Sequence, residues 1–114
     1  MRITVVAIEE HPRGRTYRVK VNGRTISILL TFHALDRIAR WGVSDRKVLQ
    51  ALLFPEEVLR GHRDRFIAQR RSGSHVVRAI YEYAGDLPVV ITVYEPSAAR
   101  YFRGGGTHED RILA

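Results

Sequence analysis

Two hydrophobic periods divide this chain. Residues Ile3–Ile8 (ITVVAI) are rich in β-branched side chains, which suit a pleated strand. His11–Arg15 contains Pro12 and Gly14 and reads as a loop. Tyr17, Val19 and Val21 then alternate with Arg18 and Lys20, and Ile26, Ile28 and Leu30 alternate through Arg24–Leu30. Asn22-Gly23 stands between these runs. Both central positions of a type I′ turn need positive φ, which Asn and Gly tolerate, so the pattern predicts a β-hairpin.

The period then lengthens. Thr31 can cap a helix whose apolar stripe is Phe32, Leu35, Ile38 and Ala39, with Gly42 as its left-handed terminator. Ser44 can cap a second helix over Asp45–Phe54, with Val48, Leu49 and Leu52 inward and Pro55 as its stop. Pro55-Glu56-Glu57 suits one extra helical turn, since Pro fits the first helical position and acids fit the positive end. Strands are predicted at Arg65–Arg71, His75–Tyr83 and Val89–Tyr94. The last is apolar on both faces and so central. The segment from Ser97, with Gly104-Gly105-Gly106, has few apolar residues and is expected to fray.

This order, β-β-β-α-α-β-β-β, predicts one α+β domain over residues 1–96 with a flexible tail over 97–114. Its twisted sheet is mostly antiparallel, with two short helices packed on one face. The N-terminal hairpin either completes the sheet or forms a dimer edge.

A chain of 114 residues fits one domain, and no apolar run approaches membrane-spanning length. The N-terminus does not read as a secretory signal. There are no cysteines, which excludes disulfide scaffolds, thiol nucleophiles and thiolate metal sites and fits a cytoplasmic setting. Charge changes the picture more. Lys plus Arg is 19 against 12 Asp plus Glu, a formal +7, and every cation except Lys20 and Lys47 is Arg. Guanidinium groups are permanently charged and bidentate toward phosphate, so nucleic acid, RNA above all, is the first expected partner and an acidic protein the second.

Five histidines are present, none at a metal-ligating spacing, so neither a metal nor another cofactor is expected. His33 lies in the first turn of the first helix, with Arg37 one turn on. An imidazole exchanges protons near neutral pH, and the Arg37 guanidinium can hold a phosphate beside it. At 100° per residue His33 points away from the apolar stripe, a position that pattern alone reads as surface. Arg60, Arg63, Arg65, Arg70 and Arg71 stand against the single acid Asp64, a candidate phosphate-binding rim. Period two puts Tyr81 and Tyr83 on one face of their strand, and Thr92 and Tyr94 on one face of theirs. Tyr81 and Tyr94 are candidates to stack on bases or reach phosphate, whereas Tyr83 reads as a sheet former.

Taken together, several segments resemble one family. His33-Ala34-Leu35-Asp36-Arg37 begins a helix, and Gly42-Val43-Ser44 leads to a second that closes on Pro55-Glu56-Glu57-Val58. An Arg-rich strand follows, then His75-Val76-Val77-Arg78-Ala79-Ile80-Tyr81, then Val90-Ile91-Thr92-Val93-Tyr94-Glu95-Pro96. This succession, from Thr31 to Pro96, is similar to a small prokaryotic domain-of-unknown-function family grouped with the barnase, EndoU, colicin and RelE-like ribonucleases, many of them toxins. The resemblance implies a RelE-like fold and metal-independent RNA cleavage. In it, the 2′-hydroxyl attacks the adjacent phosphorus and leaves a cyclic phosphate. Carried onto this chain, His33 is the base or acid and Arg37 the phosphate clamp. Arg70 or Arg71 stabilises the transition state, and Thr92 or Tyr94 contacts phosphate or base. Trp41 departs from the family pattern, which often has Arg there. An acidic antitoxin covering the arginine rim is the implied protein partner. A non-catalytic RNA-binding or protein-interaction module using the same surface is the alternative.

Overall fold

The computed structural model describes residues 2–114. Strand β1 (Ile3–His11) pairs antiparallel with β2 (Gly14–Val21), which pairs antiparallel with β3 (Arg24–Thr31). Asn22 (φ 51°) and Gly23 (φ 73°) form the turn between β2 and β3, as their chemistry requires. Helices α1 (Phe32–Trp41) and α2 (Asp45–Leu53) follow, then β4 (Glu57–Arg60), β5 (Phe66–Ser72), β6 (His75–Ala84), β7 (Leu87–Tyr94) and a short α3 (Ala98–Tyr101).

The seven strands form one mixed sheet in the order β1-β2-β3-β7-β6-β5-β4, so the class is α+β. Every neighbouring pair is antiparallel except β3–β7, which join the two halves of the chain in parallel through Leu29–Val89 and Leu30–Val90. Thr31 fastens α1 to that junction. Its hydroxyl accepts from Ala34 N at 3.1 Å as the helix cap and donates to the Val90 carbonyl at 2.9 Å. Ser44 caps α2 by accepting from Lys47 N. Gly42, at φ 67°, ends α1 in the left-handed conformation.

One core joins both helices to alternating sheet positions. Ala34 and Ile38 of α1 and Val48, Leu49, Ala51, Leu52 and Leu53 of α2 meet Tyr17, Val19 and Val21, Ile28 and Leu30, and Val77, Ala79 and Tyr81. Phe32 and Ala39, expected in the buried stripe of α1, are exposed. The anchoring of Thr31 to β7 accompanies a helix rotation that presents Ala34 and Ile38, one turn apart, to the core.

Two expectations for the second half are corrected. Pro55–Glu57 opens no helical turn: Glu56 N donates to the Gln69 carbonyl and Glu57–Arg60 pairs with β5. Residues 97–114 are docked along the sheet edge. Val58 N donates to Thr107 O at 2.7 Å and Glu109 N to Val58 O at 3.0 Å. The buried Glu57 carboxylate accepts from Arg103 N, Gly105 N and the Gln69 amide. Asp110 accepts from the hydroxyls of Tyr81 and Tyr83, and Ile112 and Leu113 pack against the core. Hydrogen bonds hold a segment too poor in apolar residues to announce itself. No helix among the described residues is long and apolar enough to cross a membrane.

Candidate functional site

Two rows of side chains run across strands β5, β6 and β7. Directly opposed residues in an antiparallel pair share a face. Ile67 opposes Ile80 and Ile80 opposes Thr92, and one step along Gln69 opposes Arg78 and Arg78 opposes Tyr94. On β6, Arg78 and Ile80 alternate with the core residues Val77, Ala79 and Tyr81, so both rows lie on the face turned away from the core.

The Ile67–Ile80–Thr92 row floors an open cleft of about 500 Å³. Gly61, His62, Arg63 and Arg65 from the β4–β5 loop rim it, and Tyr94 closes it on β7. That loop carries a strained turn. Arg65 N donates to the His62 carbonyl at 3.2 Å, and the two residues between, Arg63 and Asp64, both have φ 59°. Left-handed conformations cost non-glycine residues roughly 1–2 kcal/mol each. The same chain uses Asn-Gly for the turn at positions 22–23, whereas this tip puts Arg63, a cation, on the cleft rim. Arg65 is held on the wall by Glu82 at 2.9 Å.

Beside the cleft lies Arg78, 8 % exposed. Its guanidinium is stacked 5.1 Å from the centre of the Tyr94 ring and 4.4 Å from that of Tyr101 on α3. No carboxylate lies within ion-pairing distance of it among the described residues, and its Nε is buried without a hydrogen-bond partner. A buried charge is costly unless something answers it, and two aromatic faces answer only part. Inside the fold the guanidinium thus has two aromatic rings and no carboxylate for partners among the described residues.

Of the residues expected to act, Arg63, Arg65, Thr92 and Tyr94 line this cleft together. The others are placed elsewhere. His33 is exposed on α1, which contributes nothing to the cleft lining, and its side chain makes no hydrogen bond among the described residues. Arg37 lies on α1, outside the cleft lining; Asp36 bonds Arg40 at 2.9 Å and is 3.9 Å from the Arg37 Nε, which is buried without a hydrogen-bond partner. Arg70 donates to the Phe54 carbonyl at the end of α2. Arg71 grips Glu56 through its backbone and guanidinium and stacks 4.8 Å from the Phe102 ring centre. That grip holds the Glu56 carboxyl below its ordinary range. Arg60 stacks over Phe66. Tyr81 is fully buried against Phe66, with its hydroxyl on Asp110, so no base can stack on it. Burial, then the bond to Asp110, pushes its ionisation far up.

Sequence reasoning missed His62, Arg78 and Tyr101. The available signal was Arg78 itself: a lone cation at the centre of VVRAIY, where Val76 and Ala79 are both fully buried. Chemically, the cleft offers cations for a phosphate, one imidazole and one phenol for proton transfer, and an apolar floor for a base. Among the described residues no three His, Asp or Glu side chains cluster as a metal site would require.

The α+β fold thus carries, on the sheet face turned away from the core, a cleft rimmed by arginines with Tyr94 on its wall. A family model described as a domain of unknown function, DUF4258, matches residues 30–95, and the chain belongs to that family. The match includes α1 through β7, and β1 and β2 lie outside it. No curated protein and no solved structure matches the chain.

Proposed function

We propose that this protein binds RNA in the β5–β7 cleft and cleaves it by metal-independent transesterification, as a small ribonuclease of RelE-like fold. The single observation that carries the reading is Arg78, a buried guanidinium between two tyrosine rings with no anion of its own. Phosphate supplies the missing charge, and Arg's planar fork suits it.

In the proposed reaction Arg63 and Arg78 hold the scissile phosphate, and a base rests on Ile67 and Ile80. Neutral His62 takes the proton from the 2′-hydroxyl as its oxygen bonds to phosphorus. The bond from phosphorus to the 5′-oxygen breaks, and the Tyr94 hydroxyl gives that oxygen a proton. Products are a 2′,3′-cyclic phosphate and a 5′-hydroxyl, and solvent restores both groups. Arg78 stabilises the charge gathering on the phosphorane from a site that is already desolvated. A toxin working this way calls for an acidic antitoxin over the same cations.

A non-catalytic RNA-binding module is the second reading, favoured by one observation: the cleft lining has a single imidazole and no carboxylate. Incubating the purified chain with end-labelled single-stranded RNA in chelator separates the two. Fragments ending in cyclic phosphate, absent with His62→Ala and Tyr94→Phe, support the ribonuclease. Bound but intact RNA supports the module, and neither binding nor cleavage removes both.

A further inference from the structure

Between two anchors on the sheet, residues 98–106 cross the face that carries the cleft. One anchor is the start of β6, where Val76 N donates to Pro96 O at 2.9 Å and His75 bridges Ser97. The other is β4, joined through Thr107 and Glu109, with Asp110 held by Tyr81 and Tyr83. Ile112 and Leu113, beyond it, pack on the core, but Tyr101 and Phe102, between the anchors, do not. None of residues 98–106 is buried.

What this stretch covers is polar. Glu57 and Gln69 are fully buried and Arg78 nearly so, three of the four buried polar or charged side chains among the described residues. Arg103 N and Gly105 N donate to Glu57, the Gln69 amide donates to Tyr101 O at 3.3 Å, and the Tyr101 ring lies over Arg78. Two groups stay unmet beneath it. Gln69 Oε1 and Arg78 Nε are buried without a partner, and their residues oppose each other across β5 and β6. A cover that serves stability alone buries apolar surface or pairs the polar groups it encloses. Arg78 also falls outside the cleft lining, so a phosphate in the cleft stops short of it while the cover is down.

We infer that residues 98–106 are a flap that occludes Arg78 and lifts to admit an RNA phosphate, a regulation of the RNA site proposed above that rests on that reading. Gly104, Gly105 and Gly106, at φ 108°, 83° and 85°, form its hinge. A Cβ on Gly104 or Gly106 would meet no atom within 4 Å, so backbone conformation, not space, calls for glycine there. The bonds that hold the flap shut are polar: those to Glu57, that from Gln69, and one from Gly106 N to Glu56 O. Water can replace each of them, so opening leaves the apolar core intact. RNA that reaches Arg78 only in the open form shifts the equilibrium toward it, and its apparent affinity follows the fraction already open.

Amide hydrogen exchange by NMR on the full chain, with and without a single-stranded RNA of mixed sequence, tests this, with affinity read by fluorescence anisotropy. Added RNA is expected to quicken exchange at Arg103, Gly105 and Gly106 and to leave Glu109, on the β4 anchor, unchanged. Gly104→Ala and Gly106→Ala strain the closed flap and lie outside the cleft lining. Each is expected to keep the wild-type circular dichroism spectrum and to bind the RNA about fivefold more tightly, the effect of one left-handed alanine on the open fraction. RNA bound with those three amides unchanged or slowed overturns the flap and leaves the RNA site standing. So do glycine variants that fold but bind no more tightly than wild type. RNA that binds none of the three chains removes the reading underneath and the flap with it.

Discussion

Arg78 and Tyr94 face each other in register across β6 and β7, with the guanidinium carbon 5.1 Å from the ring centre and no carboxylate to share the charge. If this arginine served the fold, removing it would cost what breaking a buried polar network costs, about 3–5 kcal/mol. Relief of an unanswered buried charge instead offsets the lost stacking on Tyr94 and Tyr101. Arg78→Met is therefore expected to unfold in urea within about 1 kcal/mol of wild type. A large loss of stability would make Arg78 a structural residue.

The Arg63-Asp64 turn gives a second test in the same sense. Replacing the pair by Asn-Gly, which serves the left-handed turn at positions 22–23, puts residues that tolerate positive φ at both strained positions. The double variant is expected to gain about 1 kcal/mol in denaturant unfolding while binding RNA less tightly. Lower stability would show that the Arg63 or Asp64 side chain supports the loop.

Alkaline pH should loosen the molecule. Burial, then the bond to Asp45, pushes Tyr17 up to about 12, from an ordinary value near 10. A phenol whose ionisation is raised by folding contributes its full stability below pH about 10. That contribution is lost as pH climbs through about 12, because the unfolded chain releases its proton first. Tyr81 and Tyr83 are raised as well, chiefly by burial, and add to the loss. The melting temperature is expected to drop across this window, and less steeply in Tyr17→Phe. Identical slopes would contradict the assignment.

Glu57 fastens the C-terminal segment. Its buried carboxylate accepts from Arg103 N and Gly105 N, so Glu57→Ala leaves buried donors unmet at a cost of about 3 kcal/mol. Hydrogen exchange should then quicken at Arg103, Gly105 and Glu109 while the β6 amides stay protected. Uniform quickening would mean that the segment unfolds only with the whole domain.

Local chemistry made much of this fold legible. Asn22-Gly23, Thr31, Gly42 and Ser44 each marked an element end through a requirement for positive φ or a capping oxygen, and the structure uses all four. Strand β4 was hidden because four residues show no period and because a buried Glu57 makes sense only with the distant amides of Arg103 and Gly105. The parallel β3–β7 junction joins Leu29 to Val89, a separation no local pattern encodes. At the site, the arginine tract between Arg60 and Arg71 was legible as charge, but its members point to different tasks. Arg63 and Arg65 reach the cleft, whereas Arg70 and Arg71 hold α2 and Glu56. Arg78 escaped notice because one polar residue in an alternating strand reads as its solvent face, and Tyr101 of α3, which stacks over it, comes from a segment distant in sequence.

The central claim is that Arg78 awaits the phosphate of an RNA. Fluorescence anisotropy with a labelled single-stranded RNA, comparing wild type with the folded Arg78→Met chain at one salt concentration, tests it most directly. Binding by wild type and a loss of at least about tenfold in the variant is the expected result. Equal affinity of the two chains, or no binding by either, would contradict it.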